Sequence, residues 1–279
     1  MNFRELGALY KKVRQSRGYS ISDVTSDYLN KSQISKFENG NSMLLLDGFM
    51  HAVAGLNMTM SEFFLAVGNF EAGNLHKFGE KLKDHIDIHD IDGLKTMIVL
   101  NPRTKEKKIF NVLVKCAIRE LSGQDLLTDE ECQFIDKHLT DIEDWTIFDV
   151  NIFGMCLEAL NTELVYQLGL QLAEKDNFYK DLPYNAQVVK KTVVNLYVHM
   201  ILHGRFAYAD IFEKKLELLL RVSDTEERIV VHIFKKVSKY RQGKAPNLLA
   251  EIDRDIQALK DFGAQGLAKM IEIFLINYE

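Results

Sequence analysis

Apolar residues recur every three or four positions along most of the chain, and this pattern predicts helices throughout. Near the start, Leu6, Tyr10 and Val13 share one face of a helix that is predicted over residues 3–17 and that ends at Gly18. Only 3 prolines occur in 279 residues, and residues of high helix propensity are frequent. We therefore expect an all-α fold.

Four more helices are predicted in the first 66 residues, which we call the head. The second begins at Ser20, because Asp23 stands three residues later, as in a capping box. The fourth covers residues 44–56, and the fifth begins at Thr59. Their predicted buried faces consist of Leu45, Phe49 and Val53, and of Phe63, Phe64 and Val67. The head is therefore expected to be a five-helix bundle.

The third predicted helix of the head has a polar outer face. Asn30 is its expected N-cap, and Gln33 stands where a capping-box partner belongs. Ile34 and Phe37 share a face and should turn inward, and Gly40 supplies a left-handed stop. Short polar side chains and lysines can reach base edges and phosphates. The outer face predicts DNA contacts from Lys31, Ser32, Gln33, Ser35 and Lys36.

Charge is unevenly distributed along the chain. Residues 1–41 contain seven Lys or Arg against four Asp or Glu, whereas the remaining residues contain 28 against 36, so the whole chain has a net charge of -5. A basic segment joined to an acidic remainder is typical of a small DNA-binding module attached to another domain. We predict a DNA-binding domain over residues 1–66 and a second domain over residues 67–279.

The second domain, which we call the body, is predicted to consist of helices joined by short turns. The clearest helical hairpin turns at Gly204, between helices over residues 184–202 and 208–221. Helices of this length with short connections predict an α-solenoid of stacked pairs. The concave surface of a solenoid suits an extended peptide.

Several motifs resemble those of known regulators. A resemblance to the phage-repressor-type helix-turn-helix rests on Leu6-Gly7, Lys11, Arg14, Gly18 and residues 35–40. A narrower resemblance, to the Rgg branch of peptide-pheromone-controlled bacterial regulators, rests on Phe37-Glu38, Glu62-Phe63-Phe64 and residues 144–154 and 193–196. The resemblance covers nearly the whole chain and implies a pheromone-binding repeat domain and a homodimer.

In the head, the resemblance implies a structural pair between Arg14 and Glu38 that pins the third helix against the first. Within the Rgg branch, basic residues of the first helix are also implied to touch phosphate, which concerns Arg14 and Arg17. Both roles stay open for Arg14.

In the body, the resemblance implies that Asn151 and Asn195 fix the backbone of a bound peptide, because an amide offers both a donor and an acceptor. The alternative is that each asparagine caps or bridges neighbouring helices. Trp145 is a candidate wall of the ligand site or, as is commoner for a lone Trp among apolar residues, part of the core.

Catalytic and metal-binding patterns are weak. His85 and His89 have the four-residue spacing of metal ligands on a helix, but a solvated acidic face explains them more simply. The three cysteines are scattered and lack a Cys-x-x-Cys pair. We expect no metal, no cofactor and no enzymatic activity.

The sequence therefore predicts a cytoplasmic transcriptional regulator without a membrane segment. Its expected partners are double-stranded DNA with a near-palindromic operator, a short hydrophobic peptide and a second copy of the chain. Two alternatives remain open: a ligand-independent regulator whose body serves only for dimerisation, and a repeat scaffold with a vestigial head.

Overall fold

The computed structural model describes residues 3–66, 74–174, 183–245 and 247–277. The fold is all-α, as predicted, and the described residues contain fifteen α-helices and no strand. The chain divides into two compact units, Met1–His76 and Lys77–Glu279. The predicted boundary after residue 66 adjoins residues outside the described ranges, which include Val67, and it stays a prediction.

The head contains four α-helices and one single-turn 3-10 helix. Their bounds are α1 (Phe3–Ser16), the 3-10 helix (Ser22–Val24), α2 (Lys31–Glu38), α3 (Leu46–Gly55) and α4 (Met60–Ala66). The predicted first helix and its end are confirmed, since Gly18 has a left-handed φ of 76°.

The predicted second helix is shorter than expected. Ser20 and Asp23 do exchange backbone-to-side-chain hydrogen bonds, at 2.7 and 3.3 Å, but the helix beyond them is a single 3-10 turn. The residues that follow are Val24, Thr25 and Ser26, and β-branched and hydroxyl side chains disfavour continued helix. Ser26 instead pairs with Leu29 in an isolated antiparallel bridge.

The small core of the head is aromatic at its centre. Tyr10, Phe37 and Phe63 are fully buried, and the Tyr10 hydroxyl donates a hydrogen bond to the Ala52 carbonyl at 3.0 Å. The prediction for Leu45 was wrong, because its side chain is 80% exposed. Leu45 is the N-cap of α3 and has an extended backbone, so it lies outside the helical register that buries Phe49 and Val53.

The body contains the remaining eleven α-helices of the described residues. They are α5 (Asn74–Asp87), α6 (Ile91–Thr96), α7 (Lys105–Ser122), α8 (Asp129–Thr140), α9 (Ile147–Met155), α10 (Thr162–Glu174), α11 (Pro183–Leu202), α12 (Phe206–Leu219), α13 (Thr225–Arg241), α14 (Leu248–Asp261) and α15 (Gln265–Asn277). A second 3-10 helix, Leu157–Ala159, follows α9.

Helix α11 is the centre of the body. It packs against α9, α10, α12 and α13, and successive packing of α13 on α14 and of α14 on α15 extends the array. Helix α15 also packs against α7. The predicted hairpin is confirmed, because Gly204 joins α11 to α12 with a left-handed φ of 68°. Within the described ranges, no helix is both long and apolar enough to span a membrane.

His85 and His89, which have metal-ligand spacing in the sequence, do not share a helix face. Helix α5 ends at Asp87, and His89 lies beyond it with a φ of 56°. The His85 ring instead lies 2.9 Å from the carboxylate of Asp90, which caps α6. These residues therefore form a helix-to-helix turn.

Candidate DNA-binding face and ligand pocket

Helix α2 begins with a complete capping box. The side chain of Asn30 accepts a hydrogen bond from the Gln33 amide at 3.0 Å, and the side chain of Gln33 accepts one from the Asn30 amide at 2.9 Å. These bonds satisfy two amides that the first helical turn leaves without partners. The prediction of Asn30 as the N-cap is confirmed. The capping box fixes Lys31 as the first residue of this eight-residue helix.

The polar face of α2 points to solvent. Lys31, Ser32, Gln33 and Lys36 are exposed, whereas Ser35 is partly buried. On the opposite side, the two apolar residues Ile34 and Phe37 are fully buried. The structure therefore brings the five predicted contact residues of α2 onto one accessible surface.

Arg14 lies behind α2 and not on its outer face. Its guanidinium forms two hydrogen bonds to the Glu38 carboxylate, at 2.6 and 2.8 Å, and a third to the Tyr19 carbonyl at 2.6 Å. Arg14 and Glu38 are both only 5% exposed. The hydrogen bond to Glu38 raises the pKa of Arg14. Arg17, by contrast, is exposed, although its Nε donates to the Leu56 carbonyl at 3.0 Å.

A pocket of about 290 Å³ lies in the body, where α7, α9, α11, α13 and α15 converge. Its walls are largely apolar and include Val194, Val198, Val230, Phe234, Leu267 and Phe274. Its polar lining includes Glu120, Glu158, Lys191, Asn195 and His199. Apolar walls with a few polar groups are typical of a small-ligand site.

Asn195 is the one of the three predicted peptide-binding residues that lines this pocket. Its side-chain nitrogen donates to the Gly154 carbonyl at 3.1 Å, which bridges α11 to α9. That bond leaves the side-chain carbonyl oxygen to act as an acceptor.

The other two predicted residues lie outside the pocket lining. The side-chain nitrogen of Asn151 donates to the Ile147 carbonyl at 2.8 Å, one turn back in α9. The Trp145 ring is partly buried and meets Phe153 edge-on, with ring centroids 5.1 Å apart. The Trp145 contact matches the core alternative. The Asn151 bond lies within α9, so it is neither the expected cap nor a bridge to a neighbouring helix, and the peptide roles of both residues stay predictions.

The body matches a known protein family. The family model described as HTH-type transcriptional regulator Rgg, C-terminal domain, matches residues 98–273. The chain belongs to the Rgg family. The match includes all the pocket-lining residues except Phe274.

Solved structures share the fold over nearly the full length. The SHP pheromone receptor Rgg2 of Streptococcus dysgalactiae is 19% identical, with a TM-score of 0.76 over 97% of this chain and 99% of that one. A putative transcriptional regulator of Listeria monocytogenes EGD-e is also 19% identical, with a TM-score of 0.74 over 99% and 98%. The PrgX/cCF10 complex is 14% identical, with a TM-score of 0.64 over 99% and 94%.

The pocket of this Rgg-family chain contains ionisable groups that the sequence analysis missed. Burial raises the pKa of Glu120 to about 8, and the charge of Glu158 adds to the effect. Burial alone would raise the pKa of Glu158 too, but hydrogen bonds from His199 and His203 outweigh it and hold that pKa well below its usual range. Glu120 and Glu158 come from other elements than the histidines, so no local spacing marks the two carboxylates. His199 and His203 are four residues apart at the end of α11, which is a spacing that the sequence does contain.

Proposed function

We propose that this Rgg-family protein binds DNA through α2 and that a short peptide in the pocket of the body controls that activity. The exposed, capped and cationic face of α2 is the observation that carries the proposal. The proposal assigns no catalytic residue and no cofactor, and it places the protein in the cytoplasm, where its DNA would be.

The side chains of α2 divide by what they can contact. Lys31 and Lys36 are exposed cations that suit phosphates. Ser32, Gln33 and Ser35 offer short polar groups to base edges. The Gln33 oxygen is used in the capping box, but its amide nitrogen can still donate to an acceptor on a purine.

The two arginines of α1 differ in their proposed roles. Arg17 is exposed and suits a phosphate contact. Arg14 is buried, and three of its nitrogens donate within the head, so we assign it to the structural pair with Glu38 and not to DNA.

One eight-residue helix reads only a short half-site. Helix-turn-helix proteins commonly bind as dimers that place two such helices in successive major grooves, about 34 Å apart. We therefore propose a homodimer on a near-palindromic operator.

The pocket supports a ligand that is mainly apolar and carries peptide groups. Its walls are aliphatic and aromatic, and Asn195 presents a side-chain amide among them. A volume of about 290 Å³ is at the small end for ligand sites, so it fits a few residues of a short hydrophobic peptide. The similar protein Rgg2 is described as an SHP pheromone receptor, PrgX is described in a complex with cCF10, and another structure of the same fold is described as a bacterial peptide pheromone/receptor complex.

Peptide binding can change DNA binding only through a difference in affinity for two arrangements of the dimer. The proposal therefore requires that the peptide change operator affinity, in either direction.

An electrophoretic shift assay against the chain's own upstream region tests the DNA part. Binding should be salt-sensitive, because phosphate contacts release counterions, and it should weaken in a Lys31→Ala, Lys36→Ala variant. Lys239→Ala, at an exposed position in α13, is the control. Unchanged binding in the double variant would reject α2 as the reading helix, and a lack of salt-sensitive binding would favour the scaffold alternative.

Titration with synthetic peptides from small open reading frames beside the gene tests the ligand part. We expect one peptide to raise the melting temperature and to change operator affinity, and both effects should be lost in Met270→Trp, which fills the pocket from one wall. Leu218→Trp, at an 87% exposed position, should respond like the wild type. A regulator that binds its operator but responds to no peptide would match the ligand-independent alternative.

A further inference from the structure

Three side chains of types that can ligate a metal ion lie together beside the pocket, and two of them, Glu158 and His199, line it. Glu158 belongs to the 3-10 helix Leu157–Ala159, and His199 and His203 are one turn apart on α11. Oε1 of Glu158 lies 3.1 Å from Nδ1 of His199 and 3.0 Å from Nε2 of His203. The three potential ligand atoms all lie within 4.8 Å of one another.

We propose that Glu158, His199 and His203 bind a divalent transition-metal ion of the Zn²⁺ type. Two imidazoles and one carboxylate are a donor set that Zn²⁺ accepts, with bonds of about 2.0–2.2 Å and a fourth position left for water. Tetrahedral bonds of that length place ligand atoms roughly 3.3 Å apart. Both separations from Glu158 are close to this value, and the ligand nitrogens of the two histidines lie within 4.8 Å of each other.

The hydrogen bonds within the cluster leave polar atoms unsatisfied. Nε2 of His199 and Oε2 of Glu158 are buried and make no hydrogen bond within the described residues. Buried polar atoms of this kind are costly. The Arg119 guanidinium, 3.5 Å away, compensates part of the charge at Oε2, which leaves the ring nitrogen of His199 as the less satisfied of the two atoms.

A neighbouring cation orients the carboxylate of the cluster. Arg119 lies beside it, with Nε 3.5 Å from Oε2 of Glu158, and it also pairs with Asp125 at 3.2 Å. Arg119 thus orients the carboxylate, so that Oε1 faces the histidines, although its charge opposes a metal.

Metal titration of the full-length, metal-free protein tests the proposal. In competition with a chromophoric chelator, we expect one equivalent of Zn²⁺ to bind and to raise the melting temperature. Co²⁺ should give a tetrahedral d–d spectrum without a sulfur charge-transfer band, because the proposed ligands contain no sulfur.

The variant His203→Gln separates a metal site from a hydrogen-bonded cluster. His203 is partly exposed, so the variant should fold, and Zn²⁺ affinity should fall on the order of 100-fold with the loss of one of three ligands. His232→Gln, at an exposed histidine of α13, should bind Zn²⁺ as tightly as the wild type. Glu158→Gln provides a second test, with the same loss expected.

Three results would overturn the proposal: no Zn²⁺-dependent shift in the wild type, equal affinity in His203→Gln, or a Co²⁺ sulfur band. The last would assign the ion to cysteine, and the partly buried Cys132 is the nearest to solvent of the three.

Discussion

The Arg14 guanidinium and the Glu38 carboxylate form a bidentate pair in the head, with Nε to Oε1 at 2.6 Å and Nη2 to Oε2 at 2.8 Å. The pair joins α1 to the last residue of α2. Both side chains are buried, so each charge depends on the other for compensation. The position of α2 therefore depends on an interaction that its solvent-exposed residues do not make.

Glu38→Gln should destabilise the head by about 3 kcal/mol, because removal of one partner leaves a buried charge uncompensated. The measurement is amide hydrogen exchange of the full-length chain, in which the protection of α2 should fall. Asp27→Asn removes an exposed carboxylate from the same unit and should leave the exchange nearly unchanged. Equal protection of α2 in Glu38→Gln and in the wild type would show that the pair adds little to the stability of the head.

Gly7→Ala should disrupt the packing of α1 on α2. A Cβ atom at Gly7 would lie 2.0 Å from the backbone oxygen of Phe37, and a backbone atom cannot move aside as a flexible side chain can. Overpacking of this kind costs about 1–3 kcal/mol, so the head should show faster hydrogen exchange and weaker DNA binding.

Gly79→Ala is the matched control for the glycine variant. Gly79 also lies in a helix, but a Cβ atom there would meet nothing within 4 Å. The change should stabilise α5 by about 0.5–1 kcal/mol, because alanine loses less backbone entropy in a helix. If both variants behaved alike, the close approach at Gly7 would not be what constrains that position.

Gln33→Glu separates the capping role of Gln33 from its proposed contact with DNA. A carboxylate oxygen can still accept the Asn30 amide that Gln33 now accepts at 2.9 Å, and a negative charge suits a helix N-terminus. Hydrogen exchange in α2 should therefore stay as in the wild type. DNA affinity should fall by about tenfold or more, because the amide donor is lost and a negative charge faces the duplex.

Gln33→Ala should lower both DNA affinity and helix protection, because it also removes the capping box. The loss of a cap costs about 1 kcal/mol. Wild-type DNA affinity in Gln33→Glu would remove Gln33 from the proposed interface.

Features that depend on contacts between residues close together in the sequence could be predicted from the sequence. The capping box of Asn30 and Gln33 and the stop at Gly40 are local, and the structure contains both. The turn at Gly204 between α11 and α12 is local too, and the structure contains it. The exposure of Leu45 was missed because its position depends on where α3 begins, and helix boundaries are the least certain part of a sequence pattern.

The pocket could not be predicted in the same way. Its polar groups come from α7, α11, α13 and the second 3-10 helix, and only tertiary packing brings them together. For Asn151 the ambiguity is local. An asparagine inside a helix can donate to a backbone carbonyl one turn earlier, as Asn151 does to Ile147. Residue type alone does not distinguish that contact from a ligand contact.

Asn195→Ala should affect both stability and ligand binding. Loss of the bond to the Gly154 carbonyl should cost about 1 kcal/mol in the free energy of unfolding. If the side-chain oxygen also contacts a peptide, peptide affinity should fall by about tenfold, as measured by calorimetry.

Asn161→Ala is the control for the asparagine variant. The Asn161 side chain accepts the Leu164 amide at 2.8 Å, so its loss should cost a similar stability, but it lies outside the pocket lining. Equal peptide affinity in the two variants would reject a ligand role for Asn195.

The stability of the body should depend on the ionisation of Glu120. Burial raises its pKa from 4.5 in the reference state to about 8 in the fold, so the folded chain binds the proton more tightly than the unfolded chain does. This contribution is fully present below about pH 4.5 and is lost as the pH rises to about 8. The depressed pKa of Glu158 acts in the opposite sense, since its stabilisation is lost as the pH falls below about 4.5.

Glu120→Gln should therefore gain stability relative to the wild type as the pH rises from 5 to about 8, because an amide carries no charge to bury. Denaturant unfolding of both proteins across this range measures the difference, which should level off above the pKa. Glu130→Gln, on an exposed part of α8, controls for the loss of one negative charge. A pH-independent difference between Glu120→Gln and the wild type would mean that Glu120 ionises as freely in the fold as in the unfolded chain.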